Sequence, residues 1–355
     1  MFIDRSSCKT FTIYKNSTIK DSINAIEKGK LKIAIVLDQD DKLLGTVYDG
    51  DIRRGILKNY ELNSSVDKVL KKNCFTASKN TSQKTLDFMM KKNKISHIPI
   101  VNNEGIFHGL EIEGEYFPDI SFSTIPNCAL IMAGGKGTRL RPLTNNCPKP
   151  MLKIEGKPIL EIILEQCIHA GIKNFFISVC YLSTQIIDYF GDGSKWKVKI
   201  NYLEEETPLG TAGALSLLPK NIKDPVLLIN GDVLTKARLE EIFRYHNEHK
   251  GDITICARDY FLTSPYGVIE VEGINYKSMI EKPSYKQLVN AGIYIVNPNV
   301  LEIIQKNKYL DMPDLIDNQK SKNKNVLVYP IHEYWIDIGK PDLLNQATFD
   351  WSTST

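Results

Sequence analysis

The chain has 355 residues, 42% hydrophobic and 25% charged, which is ordinary globular composition and long enough for two domains. A formal net charge of +3 is too small to point to nucleic acid or an anionic membrane, and no apolar stretch approaches the roughly 18 residues that a membrane span requires. The start of the chain lacks a basic region followed by an apolar run, and the seven cysteines are scattered with no CxxC, so a cytoplasmic protein with unbridged, mostly buried thiols is expected.

Residues before about Pro126 read as an internal duplication. Residues 18–28 have the pattern of an amphipathic helix stopped at Gly29. An apolar strand over 31–37, a turn over 38–41, a strand over 42–47 and a short helix over 49–57 follow. The same order recurs as a helix over 82–92, a strand over 97–101, a turn over 102–105 and a strand about Gly109. Gly45 and Gly109 occupy matching places in the two copies.

The string Leu44-Gly45-Thr46-Val47-Tyr48-Asp49-Gly50-Asp51-Ile52-Arg53-Arg54, with the strand before it, resembles a CBS domain; the second copy is a weaker match. The resemblance implies a CBS pair over 1–122, an α+β module with repeats at about 10–62 and 66–120. Such a module binds an adenine nucleotide or supplies contacts in a homo-oligomer. In the family a Thr or Ser and an Asp hold ribose and phosphate. Tyr48 and Asp51 stand at those places in the first copy, and Ile112 and Glu115 in the second. A carboxylate facing phosphate is a poor ligand, so a scaffolding role is weighted slightly above ligand sensing. Arg53 and Arg54 could serve a phosphate or be solvated helix charges.

From Cys128 onward strands and helices alternate, which implies a mostly parallel sheet covered on both faces, with ligands at the carboxyl ends of its strands. The expected elements are a strand over 129–133, a helix opening at Lys157-Pro158 and stopping at Gly171, and a strand over 174–179. A helix over 183–190, a strand over 198–203, a helix from Gly213, a buried strand over 226–229 and a helix over 238–249 follow. His246 and His249 lie three apart on that last helix, and a solvated helix face is preferred to a metal pair.

The strand over 129–133 breaks into a glycine loop, Ala133-Gly134-Gly135-Lys136-Gly137-Thr138-Arg139, and Pro148-Lys149-Pro150 lies a little further on. Glycines let backbone N–H groups approach an anion, and Lys136, Arg139 and Lys149 add fixed positive charge. The spacing is neither that of a Walker loop nor that of a dinucleotide fingerprint. The two motifs in this order resemble the signature of the sugar-1-phosphate nucleotidyltransferases, over residues from Cys128 to about Leu344. That resemblance implies a Rossmann-like sheet of the nucleotide-diphospho-sugar transferase type over 127–350.

It further implies transfer of a nucleoside monophosphate from an NTP to a sugar 1-phosphate, with release of pyrophosphate and with Mg²⁺ as cofactor. Arg139, Lys149, Asp232 and Lys282 would carry the chemistry. Ala133, Gly134, Gly135, Lys136, Gly137, Thr138, Glu206, Gly210, Thr211 and Ala212 would bind nucleotide. Gly267, Glu281, Lys282, Asn290 and Gly292 would bind sugar. Asp232, in Asn230-Gly231-Asp232 after a buried strand, and Asp337, in Trp335-Ile336-Asp337-Ile338-Gly339, would hold the metal.

The form Pro208-Leu209-Gly210-Thr211-Ala212-Gly213, without the Gln that precedes it in thymidylyl- and many uridylyltransferases, resembles the guanylyltransferases, so GTP is the expected donor. The CBS fusion resembles enzymes of bacterial surface-glycan and nonulosonic acid synthesis, including a glucosamine-1-phosphate guanylyltransferase. Mannose- or heptose-1-phosphate guanylyltransferase, uridylyl, thymidylyl or cytidylyl transfer, and a non-catalytic regulatory subunit are the alternatives. The presence of Arg139, Lys149, Asp232, Lys282 and Asp337 favours an enzyme over the last.

Overall fold

In a computed structural model the chain forms two compact units, Met1–Ser121 and Phe122–Thr355. Residues 1–113 and 127–352 are described, so Glu115 lies outside them.

The first unit contains β1 (Phe2–Asp4), β2 (Thr12–Tyr14), α1 (Ile19–Gly29), β3 (Ile33–Leu37), β4 (Leu43–Tyr48), α2 (Asp49–Leu57), α3 (Gln83–Asn93), β5 (His97–Val101) and β6 (Phe107–Ile112). A reciprocal cap starts α1. The Thr18 hydroxyl accepts from the Asp21 amide, and the Asp21 carboxylate accepts from the Thr18 amide at 2.8 Å. The helix ends at Gly29, as expected, and Lys30 takes the left-handed position at φ 55°. Glycine is required at 29 because a Cβ there would lie 2.5 Å from Phe11 Cβ.

Two three-stranded sheets, β2-β3-β4 and β1-β6-β5, carry the duplication. They are joined reciprocally: the Leu43 amide donates to the Gly105 carbonyl (2.9 Å) and the Phe107 amide to that of Asp41 (3.0 Å). The parallel pairing of Ile13 with Val36 in one copy is matched by that of Ala77 with Ile100 in the other. Gly45 and Gly109 serve one purpose in both. Each lets a crossing segment bring its carbonyl, Lys71 or Ile3, closer than a Cβ would permit. Gly109→Ala is therefore expected to destabilise this unit by ~1–3 kcal/mol, the usual cost of overpacking. A urea midpoint equal to that of the wild type would contradict this packing.

The second unit contains β7 (Cys128–Met132), β8 (Lys153–Ile154), β9 (Lys157–Pro158), α4 (Ile159–His169), β10 (Asn174–Val179), α5 (Ser183–Phe190), β11 (Lys199–Glu204), α6 (Gly210–Gly213), β12 (Val226–Asn230), β13 (Val233–Thr235) and α7 (Leu239–Glu248). β14 (Ile253–Thr263), β15 (Val268–Glu272), β16 (Asn275–Ile280), β17 (Ser284–Val296), α8 (Pro298–Leu301), α9 (Met312–Ser321), β18 (Val326–Ile331), β19 (Trp335–Asp337) and α10 (Pro341–Ser352) complete it.

Seven strands form the central sheet in the order β11-β10-β7-β12-β17-β14-β18. All neighbours are parallel except at β17, which runs antiparallel to both β12 and β14. Alternate residues feed opposite faces: Ala129, Ile131, Leu227 and Ile229 enter one buried cluster, Leu130, Val226 and Leu228 another. Both faces are thus covered, as the runs of apolar residues predict. β14 and β17 continue as a two-stranded arm to Thr263 and Ser284, with the hairpin of β15 and β16 between them.

Three local expectations fail. Lys157-Pro158 pairs with β8 as a short ribbon instead of forming the first turn, and α4 opens at Ile159 with Pro158 as its N-cap. The helix expected from Gly213 begins at Gly210 and tightens into a 3₁₀ turn over Ala214–Leu217. His246 is not on a solvated face: it is buried, its Nδ1 lies 2.8 Å from Thr254 Oγ1, and burial lowers its pKa, which favours the neutral ring. His249 is exposed and stacks on Tyr245. Among the described residues no helix is long and apolar enough to cross a membrane, and no disulfide joins the seven cysteines, four of which are buried.

Candidate active site

The carboxyl ends of the parallel strands β10, β7 and β12 lie side by side, so the turns that follow them share one edge of the sheet. After β7 the Ala133 amide donates to the Ser178 carbonyl (2.9 Å), and Gly134 packs against Cys180 and the Glu205 carboxylate. After β12 the Gly231 amide donates to the Met132 carbonyl (2.9 Å), and a Cβ on Gly231 would lie 2.6 Å from that oxygen. Glycine at 231 is what brings the Asn-Gly-Asp turn against the glycine loop. Gly135, Lys136, Thr138 and Arg139 are exposed along that loop. Gly137 is left-handed (φ 59°), its carbonyl accepts from the Thr144 hydroxyl (2.8 Å), and a Cβ on it would touch Lys149 Cβ at 3.0 Å.

Lys149 is buried, in a 3₁₀ turn opened by Pro148. Its ammonium lies against the Asp232 carboxylate and 4.0 Å from Asp337 Oδ1. The two carboxylates, distant in sequence, are joined by the ribbon of β13 and β19. Val233 stands opposite Asp337, and the Ile338 amide donates to the Asp232 carbonyl at 3.0 Å. Burial first, and then the Asp232 charge, raise the pKa of Asp337, while Lys149 and Arg139 oppose the rise. The Arg139 guanidinium lies over Gly339, 3.7 Å from where a Cβ would be. Two carboxylates therefore face two cations at the sheet edge. Asp337 Oδ1 is buried without a hydrogen-bond partner among the described residues, and two adjacent carboxylates are a donor set that suits a hard divalent cation.

The residues expected to bind sugar lie in two places, beside the carboxylate ribbon and on the arm. Gly292 is left-handed (φ 69°), and the Asn230 side chain packs where its Cβ would be. The Trp335 indole donates to the Ala291 carbonyl (2.9 Å), so this segment adjoins the carboxylate ribbon. Asn290 is turned to its own strand: its oxygen accepts from the Gly292 amide (3.0 Å), and its nitrogen donates to the Tyr294 hydroxyl. Gly267 and Glu281 lie together on the arm, with a Cβ on Gly267 falling 2.8 Å from Glu281 Oε2. Lys282 is exposed and left-handed (φ 46°) in the turn before β17. Among the described residues no ion pair joins it to the Asp232 cluster.

These features have a counterpart among known proteins. Residues 128–353 match the Nucleotidyl transferase family, and residues 6–58 match the CBS domain. The chain belongs to the nucleotidyl transferase family. It is similar to the mannose-1-phosphate guanyltransferase of Pichia angusta, 32% identical over 226 residues, which are 60% of each chain. It is 31% identical over 224 residues to the mannose-1-phosphate guanylyltransferase of Mycobacterium tuberculosis (strain ATCC 25618 / H37Rv), which cover 60% of this chain and 61% of that one. The chain thus spans about three fifths of the length of the curated relatives it matches. Among solved structures it resembles HddC from Yersinia pseudotuberculosis complexed with GMP-PN. That likeness has a TM-score of 0.51 and 26% identity, and covers 63% of this chain and 99% of that one.

The segment over 205–213, expected to bind nucleotide, is held within the fold at two places. Glu206 is exposed, whereas its neighbour Glu205 is buried, one oxygen accepting from the Ser178 hydroxyl and the other from the Leu209 amide (2.8 Å). The signal for Glu205 was a carboxylate four residues before the Leu209 amide of a Pro-Leu-Gly turn, where it can close the turn on itself. The N–H groups of Thr211 and Ala212 do not face an open site either. The first is taken by Asp311 and the second by the Leu310 carbonyl, both at 2.9 Å.

Proposed function

We propose that the chain transfers a guanylyl group from GTP to a hexose 1-phosphate. The observation that carries this reading is the convergence of Arg139, Lys149, Asp232 and Asp337 beside the glycine loop at the carboxyl edge of the sheet. A sugar-phosphate oxygen forms a bond to the α-phosphorus, the bond from that phosphorus to the α,β-bridging oxygen breaks, and pyrophosphate leaves with the electron pair. Both reactants are anions, so the site's task is to neutralise and align them. The exposed amides and cations of 134–139 receive the triphosphate, with Arg139 on the leaving pyrophosphate. Lys149 serves the α-phosphate or the attacking phosphate. Asp232 and Asp337 would hold Mg²⁺, which when bound supplies charge neutralisation across the reacting phosphates. Gly267, Glu281 and Lys282 on the arm, with the segment about Asn290 and Gly292, form the sugar side.

GTP is supported by the guanylyltransferase names of the relatives and by the form Pro208-Leu209-Gly210-Thr211-Ala212-Gly213. The acceptor class is that named for the relatives, a mannose-like hexose 1-phosphate, with glucosamine and heptose 1-phosphates as the nearest alternatives. The role is supply of a nucleotide sugar for glycan synthesis. GTP is expected to give the highest kcat/KM of the four NTPs with mannose 1-phosphate as acceptor. A higher value for UTP or dTTP would overturn the assignment of the base.

For the first unit we propose a CBS pair that acts mainly as a scaffold between copies of the chain. Asp51 is already engaged by the Tyr48 amide (2.9 Å) and by Arg54 (2.5 Å), and Ile112 is buried in β6. Calorimetry of the full chain with AMP is expected to show at most one site per chain. Two tight sites would contradict the proposal.

A further inference from the structure

Asp311 stands at the N-cap of α9, where an aspartate ordinarily accepts from its own helix. It makes no such bond. Its Oδ1 instead accepts from the amide (2.9 Å) and the hydroxyl (3.1 Å) of Thr211, and its Oδ2 accepts from the Tyr309 hydroxyl (2.7 Å). The Thr211 hydroxyl returns the cap by accepting from the Met312 amide (2.8 Å). Around this exchange the Leu310 carbonyl takes the amides of Ala212 (2.9 Å) and Gly213 (3.1 Å), and the Leu310 amide donates to the Leu209 carbonyl (2.9 Å). Gly210 is left-handed (φ 81°), and a Cβ on it would lie 2.6 Å from the Leu310 carbonyl and 2.9 Å from Asp311 Oδ1. The segment 308–312 is thus a clamp on the far side of the loop whose near end is fixed by Glu205.

We propose that Asp311 is a positioning residue for the nucleotide. It fixes the loop over 205–213 that walls the NTP site, and so sets the affinity for NTP without taking part in the transfer. This rests on the guanylyl-transfer reading above. The amides of this loop, which a helix N-terminus would otherwise offer to an anion, are spent on the clamp, so the loop presents a preformed wall. Holding that wall in place is a cost the nucleotide does not have to meet on binding. The contacts made by Asp311 are charge-assisted, and a carboxamide replaces only part of them.

Two measurements on the full chain test the proposal. Hydrogen exchange over 205–213, without ligand, is expected to speed up about tenfold or more in Asp311→Ala and less in Asp311→Asn. Unchanged exchange would overturn the clamp whatever the activity. In steady-state kinetics Asp311→Ala is expected to raise the KM for GTP about tenfold, with kcat and the KM for the sugar 1-phosphate within about twofold, and Asp311→Asn to recover part of the loss. A proportional fall in kcat with no change in KM for GTP, or equal effects on both substrates, would overturn the positioning role. If the wild type takes no NTP, the functional reading and this role fall together, while the exchange result still decides the clamp.

Discussion

Asp232→Asn is expected to lower turnover by about 10³-fold while leaving the chain folded. The substitution keeps shape and removes charge at the end of β12, where Gly231 pins the turn against the glycine loop. It leaves Asp337 as the lone carboxylate at the ribbon, which weakens the hold on a divalent cation and leaves the Lys149 ammonium without its nearest counter-charge. The Val233–Asp337 pairing and the Ile338 hydrogen bond are made by backbone, so β13 and β19 persist. Circular dichroism and a thermal midpoint should therefore stay near wild type. Turnover within about tenfold of wild type at saturating Mg²⁺ would sink the assignment of Asp232.

Lys149→Ala should be comparably severe, by about 10²–10³-fold in kcat/KM, because it removes a charge-assisted phosphate contact at a buried point. It also removes the cation between two carboxylates, so the pKa of Asp337, already raised by burial and by Asp232, should rise further. A carboxylate that protonates more readily is lost to function as pH falls. The acid limb of the variant's pH–rate profile should therefore move to higher pH than that of the wild type. Lys149→Arg should restore the pH profile in part, and an acid limb in the same place for all three proteins would show that Lys149 does not govern this pair. Loss of activity that merely tracked loss of the fold would appear as a thermal midpoint lowered in proportion across both substitutions.

The elements legible from sequence were those whose pattern and burial agree. The runs over 129–132 and 226–229 are apolar at every position because both faces of the sheet are covered, and each was placed within one residue. Helix 183–190 was placed at both ends. Matching glycines at 45 and 109 answer to matching backbone crossings. The misplaced features depend on partners distant in the chain. His246 reads as surface because its helix is polar, yet it lies over Thr254. Lys157-Pro158 reads as a helix start until β8 is there to pair with it.

At the site, the motifs named the groups that the sheet edge gathers: Arg139, Lys149, Asp232 and Asp337 come together although they lie far apart in the chain. Their neighbours were harder to read. In a run of three glutamates sequence cannot tell which faces inward, and Glu205 rather than Glu206 is buried because Ser178 and the Leu209 amide satisfy it. The amides of Thr211 and Ala212 are taken by the segment 308–312, about a hundred residues on. Nothing in either segment alone announces that pairing.

Pyrophosphate release tests the central claim most directly. The full chain is mixed with Mg²⁺, each of the four NTPs in turn, and mannose, glucosamine or heptose 1-phosphate. Pyrophosphate is expected with GTP, only when a sugar 1-phosphate is present, in step with a GDP-sugar, and not with Asp232→Asn. Pyrophosphate release that does not depend on a sugar phosphate, or none with any NTP, would contradict the assignment of this sheet edge as a sugar-1-phosphate guanylyltransferase site.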